Sequence, residues 1–200
     1  MSRTANEKRP DELLDAIVQY LIRHGIVDLS LRPLAKAVGS SPRVLLYYFG
    51  SKENMVIKAL AQIRHRQRNL YTGMQAATFE QACRAVWQHM SAPKSEPHFR
   101  FFFETYGLAL RHPRIYKHFL HSTINDWLDF IAAPLQAEGI KRKHAYALAT
   151  IVLAGLRGFM LDCCTTGDRA RLNRAVNLWL PTLDSIFAHL QGGLAHDYEK

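Results

Sequence analysis

Residues 29–53 read Leu-Ser-Leu-Arg-Pro-Leu-Ala-Lys-Ala-Val-Gly-Ser-Ser-Pro-Arg-Val-Leu-Leu-Tyr-Tyr-Phe-Gly-Ser-Lys-Glu, and they predict two short helices joined by a tight turn. Ser30 is placed to cap the first helix, its hydroxyl accepting an orphan backbone N–H. Pro33 falls in the first turn, where its missing N–H costs no helical bond. Leu34 and Val38 make an apolar stripe, and Ala35 leaves room for a second helix to cross closely. Gly39 stands where the first helix must stop, at a position that favours left-handed backbone. Ser41 caps the second helix and Pro42 takes its first helical position. Leu45 and Phe49 point inward at i, i+4, which leaves Arg43, Val44, Tyr47 and Tyr48 on or near the other face. The unit has the form of a helix-turn-helix whose second helix is built to enter DNA.

The charge distribution fits that reading. The chain of 200 residues carries a formal net charge of +9. Residues 1–70 hold 12 Lys and Arg against 6 Asp and Glu, while residues 71–200 hold 14 against 11, so the excess is concentrated around the motif. A phosphate-binding surface needs such an excess, although basic chains are common and most charge runs are solvated faces. A hydrophobic content of 48% supplies a core and excludes a disordered chain. The three cysteines, Cys83, Cys163 and Cys164, form neither a CxxC pair nor a disulfide framework, and read as small core hydrophobes. The N-terminus has no apolar signal core, which predicts a cytoplasmic protein. The apolar stretch from Ala145 to Cys164 is interrupted by Thr150, Arg157 and Asp162 and reads as a buried helix, with no role at a membrane.

Outward from the motif, helical periodicity runs through the whole chain and no period-2 strand is found. The class is all-α: a three-helix head, then a larger helical domain, about nine helices in total. A helix over about 10–24 buries Leu13, Leu14, Ile17, Val18, Leu21 and Ile22 and ends at Gly25. Ser51 caps a helix over about 52–71 with Met55, Val56, Ala59, Leu60 and Ile63 inward, and Gly73 ends it, dividing a 1–72 head from a 73–200 domain. Thr78 to Gln81 fits a capping box opening a helix to about 91. Pro93 and Pro97 bracket a loop, followed by a short aromatic helix from Phe99 to Ala109. A helix from Pro113 to about 137, bent at Pro134, ends near Gly139. Helices over about 142–165 and 169–190 follow, separated by Gly167, with Asp168 or Thr166 capping the last; the tail from Gln191 is polar and predicts a frayed end.

Three short helices carrying the motif at 29–53, followed by a long helical remainder, resemble the TetR family of bacterial transcriptional regulators. Ser-Pro-Arg-Val-Leu-Leu-Tyr-Tyr-Phe-Gly-Ser-Lys-Glu (41–53) is similar to that family's recognition helix running into its fourth helix. The motif match covers about the first 65 residues, and the rest of the resemblance lies in helix count and length. By position, it implies that Ser30, Arg32, Ser41, Pro42, Arg43, Val44, Tyr47, Tyr48 and Lys52 form the DNA-binding surface. Pro42, Arg43 and Val44 would sit nearest base edges, the two tyrosines along phosphates, and Lys52 on a phosphate at a helix start. The chain departs from the family with Arg43 where glycine is frequent, Leu46 where tyrosine is, and Tyr48 where histidine is. Arg43 adds a bidentate donor able to read guanine, so the operator cannot be inherited from relatives. Taken singly, Tyr47 and Tyr48 read as packing aromatics, Lys52 as a solvated lysine, and Arg64, His65, Arg66 and Arg68 as a solvated face of the fourth helix.

The resemblance further implies that the second domain binds a small effector and forms a homodimer through the last two helices. Trp87, Met90, Phe99, Phe102, Phe103, Tyr106, Trp127, Phe130, Ile131, Phe159 and Met160 supply an apolar, aromatic lining for such an effector, and each alone also reads as ordinary core. Ala145, Ala149, Ala154, Gly155 and Gly158, then Leu172, Val176, Leu180, Leu183, Ile186 and Phe187, offer close approach and an apolar face for pairing. Arg157 and Asp162 need partners if buried, whether in neighbouring residues, at a dimer rim or on an effector. His112, His118 and His121 lack the further ligands a metal site requires, and no cofactor is expected. The function implied is a ligand-responsive repressor that binds a palindromic operator as a homodimer and is released by a small apolar or aromatic effector through movement of the long central helix. The alternatives are a DNA-binding regulator without effector and a helical-bundle enzyme. The second is disfavoured by the lack of GxGxxG, P-loop, G-x-S-x-G and HExxH motifs.

Overall fold

The computed structural model of the chain describes residues 10–73, 76 and 78–191. Among these there are nine α-helices, one 3-10 turn and no strand. The helices are α1 (Pro10–His24), α2 (Leu31–Ala37), α3 (Pro42–Phe49), α4 (Lys52–Thr72), α5 (Phe79–Ser91), α6 (Glu96–Arg111), α7 (Pro113–Ala137), α8 (Arg142–Thr166) and α9 (Arg169–Gln191). The chain divides into two compact units, Met1–Leu70 with Arg100–Phe119, and Tyr71–Phe99 with Leu120–Lys200.

In the first unit α1 buries Leu13, Ile17, Val18 and Leu21, the one stripe its spacing allows, while Leu14 and Ile22 on its flanks are half-buried. Gly25 ends α1 at φ 70°, its N–H on the Leu21 carbonyl at 2.8 Å. Met55, Val56, Ala59, Leu60 and Ile63 of α4 complete this core, together with Phe101 of α6 and Tyr116 of α7. The basic run on α4 is more engaged than a solvated face. Arg66 and Gln62 both donate to Asp15 of α1 at 2.5 Å, and the Arg64 guanidinium lies 5.7 Å from the centre of the Phe119 ring.

In the second unit α5, α8 and α9 pack on one another. Thr78 caps α5 as expected, accepting from Gln81 N–H at 3.1 Å. Trp87 of α5 donates its indole N–H to Asn173 of α9 at 2.8 Å, and Glu80 N–H donates to Asp184 at 3.0 Å. Leu172, Val176, Leu180 and Leu183 of α9 are fully buried here, so this leucine series is core of one chain and not a face for pairing. The outward surface holds other residues: Ile151, Ala154, Gly158 and Leu161 of α8, and Leu178 of α9, which is 79% exposed. α8 is long and apolar enough to cross a bilayer by length and composition, but only one of its faces is buried, against the expectation of a buried helix.

Other expectations need correction. The loop between Pro93 and Pro97 is a 3-10 turn at Pro93–Ser95, and α6 already begins at Glu96. Pro97 is tolerated there because the first turn of a helix needs no N–H from it. α6 therefore runs 16 residues, well beyond the expected Phe99–Ala109. Pro134 lies inside α7 as expected, and Pro181 inside α9 was not anticipated as an interruption. Asp168 caps α9, accepting from Arg171 N–H at 3.0 Å. Asp162 accepts from Arg171 at 2.6 Å and from Thr166 at 3.0 Å, and those hydrogen bonds hold its carboxyl below the usual range; Arg157 is half-buried. Cys83 and Cys163 are buried and Cys164 half-buried, and burial pushes the Cys83 thiol up to about 12. The N-terminal reading of residues 1–9 and the tail reading beyond Gln191 fall outside the described residues.

Gly155 of α8 has no spare room: a Cβ there would stand 2.5 Å from Trp179 Cζ2 and 2.7 Å from Cη2. Alanine in a helix interior normally gains up to about 1 kcal/mol over glycine, but forcing a methyl into a packed aromatic costs about 1–3 kcal/mol. Gly155→Ala is therefore expected to lower stability and Gly107→Ala, with nothing within 4 Å, to raise it. Urea unfolding of both variants checks the opposite signs.

Candidate nucleic-acid interface

The turn between α2 and α3 is set by backbone geometry. Gly39 takes φ 68°; its N–H donates to Lys36 O at 3.2 Å and Ser40 N–H donates to Ala35 O at 2.8 Å. That pair of bonds is a Schellman ending, which requires a left-handed residue at Gly39. Ser41 then caps α3, its hydroxyl accepting from Val44 N–H at 3.3 Å, with Pro42 at the first helical position. Ser30 occupies the cap position of α2 in extended backbone, but its side chain makes no capping bond. The expectation of a hydroxyl cap there is corrected: α2 is held by packing of Leu34 and Ala35, both buried.

α3 is amphipathic across its own width. Leu45 and Phe49 are buried, at 1% and 3% exposure, and Tyr47 on the opposite face is 82% exposed. Arg43, Val44 and Leu46 are also exposed; Tyr48 is half-buried with its ring edge-on to Tyr47 at 5.2 Å. Gly50 at φ 76° ends α3, its N–H donating to Leu46 O at 2.8 Å. Ser51 caps α4 by accepting from Asn54 N–H at 3.0 Å, and Asn54 returns an amide bond to Phe49 O at 2.7 Å. α4 is thus fastened to the end of α3, which fixes Lys52 beside it. Lys52 donates to Leu29 O at 3.4 Å and remains exposed.

The structure therefore gathers Arg32, Ser41, Pro42, Arg43, Val44, Tyr47 and Lys52 on one short stretch of α2, α3 and the α4 start, with all but half-buried Pro42 exposed. No acidic residue lies between Asp28 and Glu53, while Arg32, Lys36, Arg43 and Lys52 do. Lys36 is exposed as well and was passed over in the sequence; the acid-free run is the signal that would have found it. Among the described residues none of these four cations is in an ion pair, so the surface offers positive charge, a helix start and aromatic hydroxyls to a polyanion.

The proposed effector residues divide between the two units. Trp87, Met90, Phe99 and Met160 are buried in the second unit, where Trp127, Phe130, Ile131 and Phe159 are half-buried. Trp87 meets Phe159 edge-on at 6.0 Å, and Trp127 meets Phe130 at 5.7 Å and Tyr71 at 5.8 Å. Tyr71, absent from the sequence-derived set, is buried, and its phenol is raised by that burial. Phe102, Phe103 and Tyr106 belong to the first unit and pack on one another, with Phe102 4.6 Å from Tyr106. His112, His118 and His121 are exposed, and among the described residues no group of three or more His, Cys, Asp or Glu could hold a metal ion.

Comparison with known proteins gives a consistent picture. A family model described as "Bacterial regulatory proteins, tetR family" matches residues 13–59. The HTH-type transcriptional regulator BetI of Brucella suis biovar 1 is 28% identical over 193 residues, spanning 94% of this chain and 83% of that protein. Among solved structures, a candidate TetR-family transcriptional regulator from Rhodococcus sp. aligns with a TM-score of 0.73 at 21% identity, covering 88% of this chain and 99% of that one. BioQ with its double-stranded DNA operator aligns with a TM-score of 0.58 at 18% identity, covering 92% of this chain and all of BioQ. At these identities the solved structures establish the fold.

Proposed function

We propose that the chain, a helix-turn-helix regulator of transcription similar to the TetR family and not an enzyme, is a ligand-responsive repressor acting as a homodimer on a palindromic operator. In this reading residues 1–72 bind DNA, residues 73–200 bind the effector and pair the protomers, and the protein works in the cytoplasm. The observation that carries it is the acid-free cationic surface of α2, α3 and the α4 start, with Arg43 exposed at the beginning of α3. Arg43 and Val44 read base edges; Arg32, Tyr47, Tyr48 and Lys52 hold phosphates. BioQ, solved on its double-stranded DNA operator, supports the same use of the fold.

Pairing uses the outward faces of α8 and α9. Ile151 and Leu161 are each 45% exposed, with small Ala154 and Gly158 between them, and Leu178 stands beside them in exposure. A second copy covering this face buries apolar surface that one chain leaves in water. It also sets two recognition helices one DNA turn apart. The effector is apolar or aromatic, held by Trp87, Met90, Phe99, Trp127, Phe130, Ile131, Phe159 and Met160 of the second unit. Its binding shifts the population between two dimer geometries, of which one fits successive major grooves.

Fluorescence anisotropy on duplexes from the DNA flanking its own gene tests this. A half-saturation in the range of about 10 nM or below is expected for one palindromic site, with half-sites about 10 base pairs apart. Equal affinity for a scrambled duplex at low salt would overturn the operator reading.

A further inference from the structure

α6 ends and α7 begins at an exposed corner, and between Glu104 and Asp126 the sequence holds no acidic residue. The stretch carries the cations Arg111, Arg114 and Lys117 with His112, His118 and His121 among them, all exposed. Among the described residues none of the three fixed cations is in an ion pair. Arg114 is the second residue of α7, whose first turn holds no acid, and Lys117 follows one turn on. A cation at a helix start opposes the macrodipole, so helix formation does not account for Arg114.

Contacts inside the first unit locate this corner. Lys52 at the start of α4 reaches Leu29 O at 3.4 Å, which puts the α1–α2 linker at the cationic end of α4. Ile26 N–H in that linker donates to Glu104 Oε2 at 2.8 Å, and Gly25 lies so close that a Cβ would stand 2.6 Å from the same oxygen. Glu104 of α6 is therefore seated at the DNA-facing end. From there α6 runs seven more residues, about 10 Å, to Arg111. On the far side of the corner, Tyr116 of α7 is buried in the core of the same unit. The corner therefore belongs to the same compact unit as α3 and the start of α4.

We propose that the α6–α7 corner is a second phosphate-contacting surface, in which Arg111, Arg114 and Lys117 hold the backbone of operator DNA outside the base pairs read by α3. The inference rests on the operator reading above, and adds a partner surface to it. The contact is electrostatic and independent of sequence, so it lengthens the footprint without changing base preference.

The test uses the full-length protein and the triple variant Arg111→Gln, Arg114→Gln, Lys117→Gln on two duplexes, one ending at the half-sites and one extended by about one helical turn on each side. For the longer duplex, the variant is expected to bind about 10- to 100-fold more weakly at low salt, and its slope of log affinity against log salt to be shallower by about 2–3 per protomer. On the shorter duplex the two proteins are expected to agree, and the variant to melt at about the same temperature, since Arg111 ends α6 favourably while Arg114 opens α7 unfavourably. Equal affinities and slopes on the longer duplex overturn the proposal. So does cation-dependent binding to phosphatidylglycerol vesicles with no change on DNA, which would assign the corner to a lipid surface. If the unmodified protein prefers neither duplex to a scrambled one, the operator reading itself falls and this inference falls with it.

Discussion

Arg43→Ala is expected to weaken operator binding by about ten- to a hundredfold per half-site, the value of one bidentate guanine contact. Arg43 is exposed as the second residue of α3, and among the described residues it has no ion-pair partner to lose. A cation in the first turn of a helix is unfavourable toward the macrodipole, so its removal leaves stability unchanged or slightly raised. Loss of binding without loss of folding is therefore the expected pattern. Competition with base-substituted duplexes distinguishes the two ways in which Arg43 could act. A base reader relaxes specificity at one position, whereas a phosphate contact weakens all sequences alike and makes the salt slope shallower by about 1. Unchanged affinity for every duplex would remove Arg43 from the interface.

The second large effect runs through stability. Leu45→Ala empties a position that is 1% exposed on the inner face of α3, where α2 packs against it. A buried leucine cut to alanine costs about 2–5 kcal/mol. For a chain of this size that corresponds to a fall in Tm of about 5–15 °C if the chain unfolds in one step. DNA binding is expected to fall with it, because α3 presents Arg43 and Tyr47 only while Leu45 and Phe49 hold its other face. Thermal melting by circular dichroism, read beside anisotropy, separates this from Arg43→Ala. A Tm shift under one degree would show that Leu45 does not anchor the recognition helix.

The motif was legible because its determinants are local. Gly39, Ser41, Pro42, Gly50 and Ser51 act on backbone groups within a few residues of themselves, and the structure places each where that chemistry requires. Ser30 shows the limit of such reasoning: it holds the cap position but makes no capping bond, and α2 is kept by Leu34 and Ala35 instead. Pro97 shows another. Proline reads as a break in sequence, yet it is harmless in the first turn of a helix, and only the register of α6 reveals that it stands there.

Helical class, the sites of most helix ends and the concentration of cations around residues 29–53 were determined by the chain alone, since periodicity, capping and charge are properties of neighbouring residues. Which partner each helix face meets was decided only in three dimensions. Leu172, Val176, Leu180 and Leu183 repeat with a helical period that would suit either a second copy or the chain's own core, and packing of α9 on α5 and α8 chose the core. Arg66 and Asp15 are distant in sequence, and only folding brings them to 2.5 Å. The same holds for Glu104 and Ile26, whose bond seats α6 at the end of the head where the cations lie. Long-range contacts have no signature in local spacing, because the free energy that selects them is gained only when the elements are already formed.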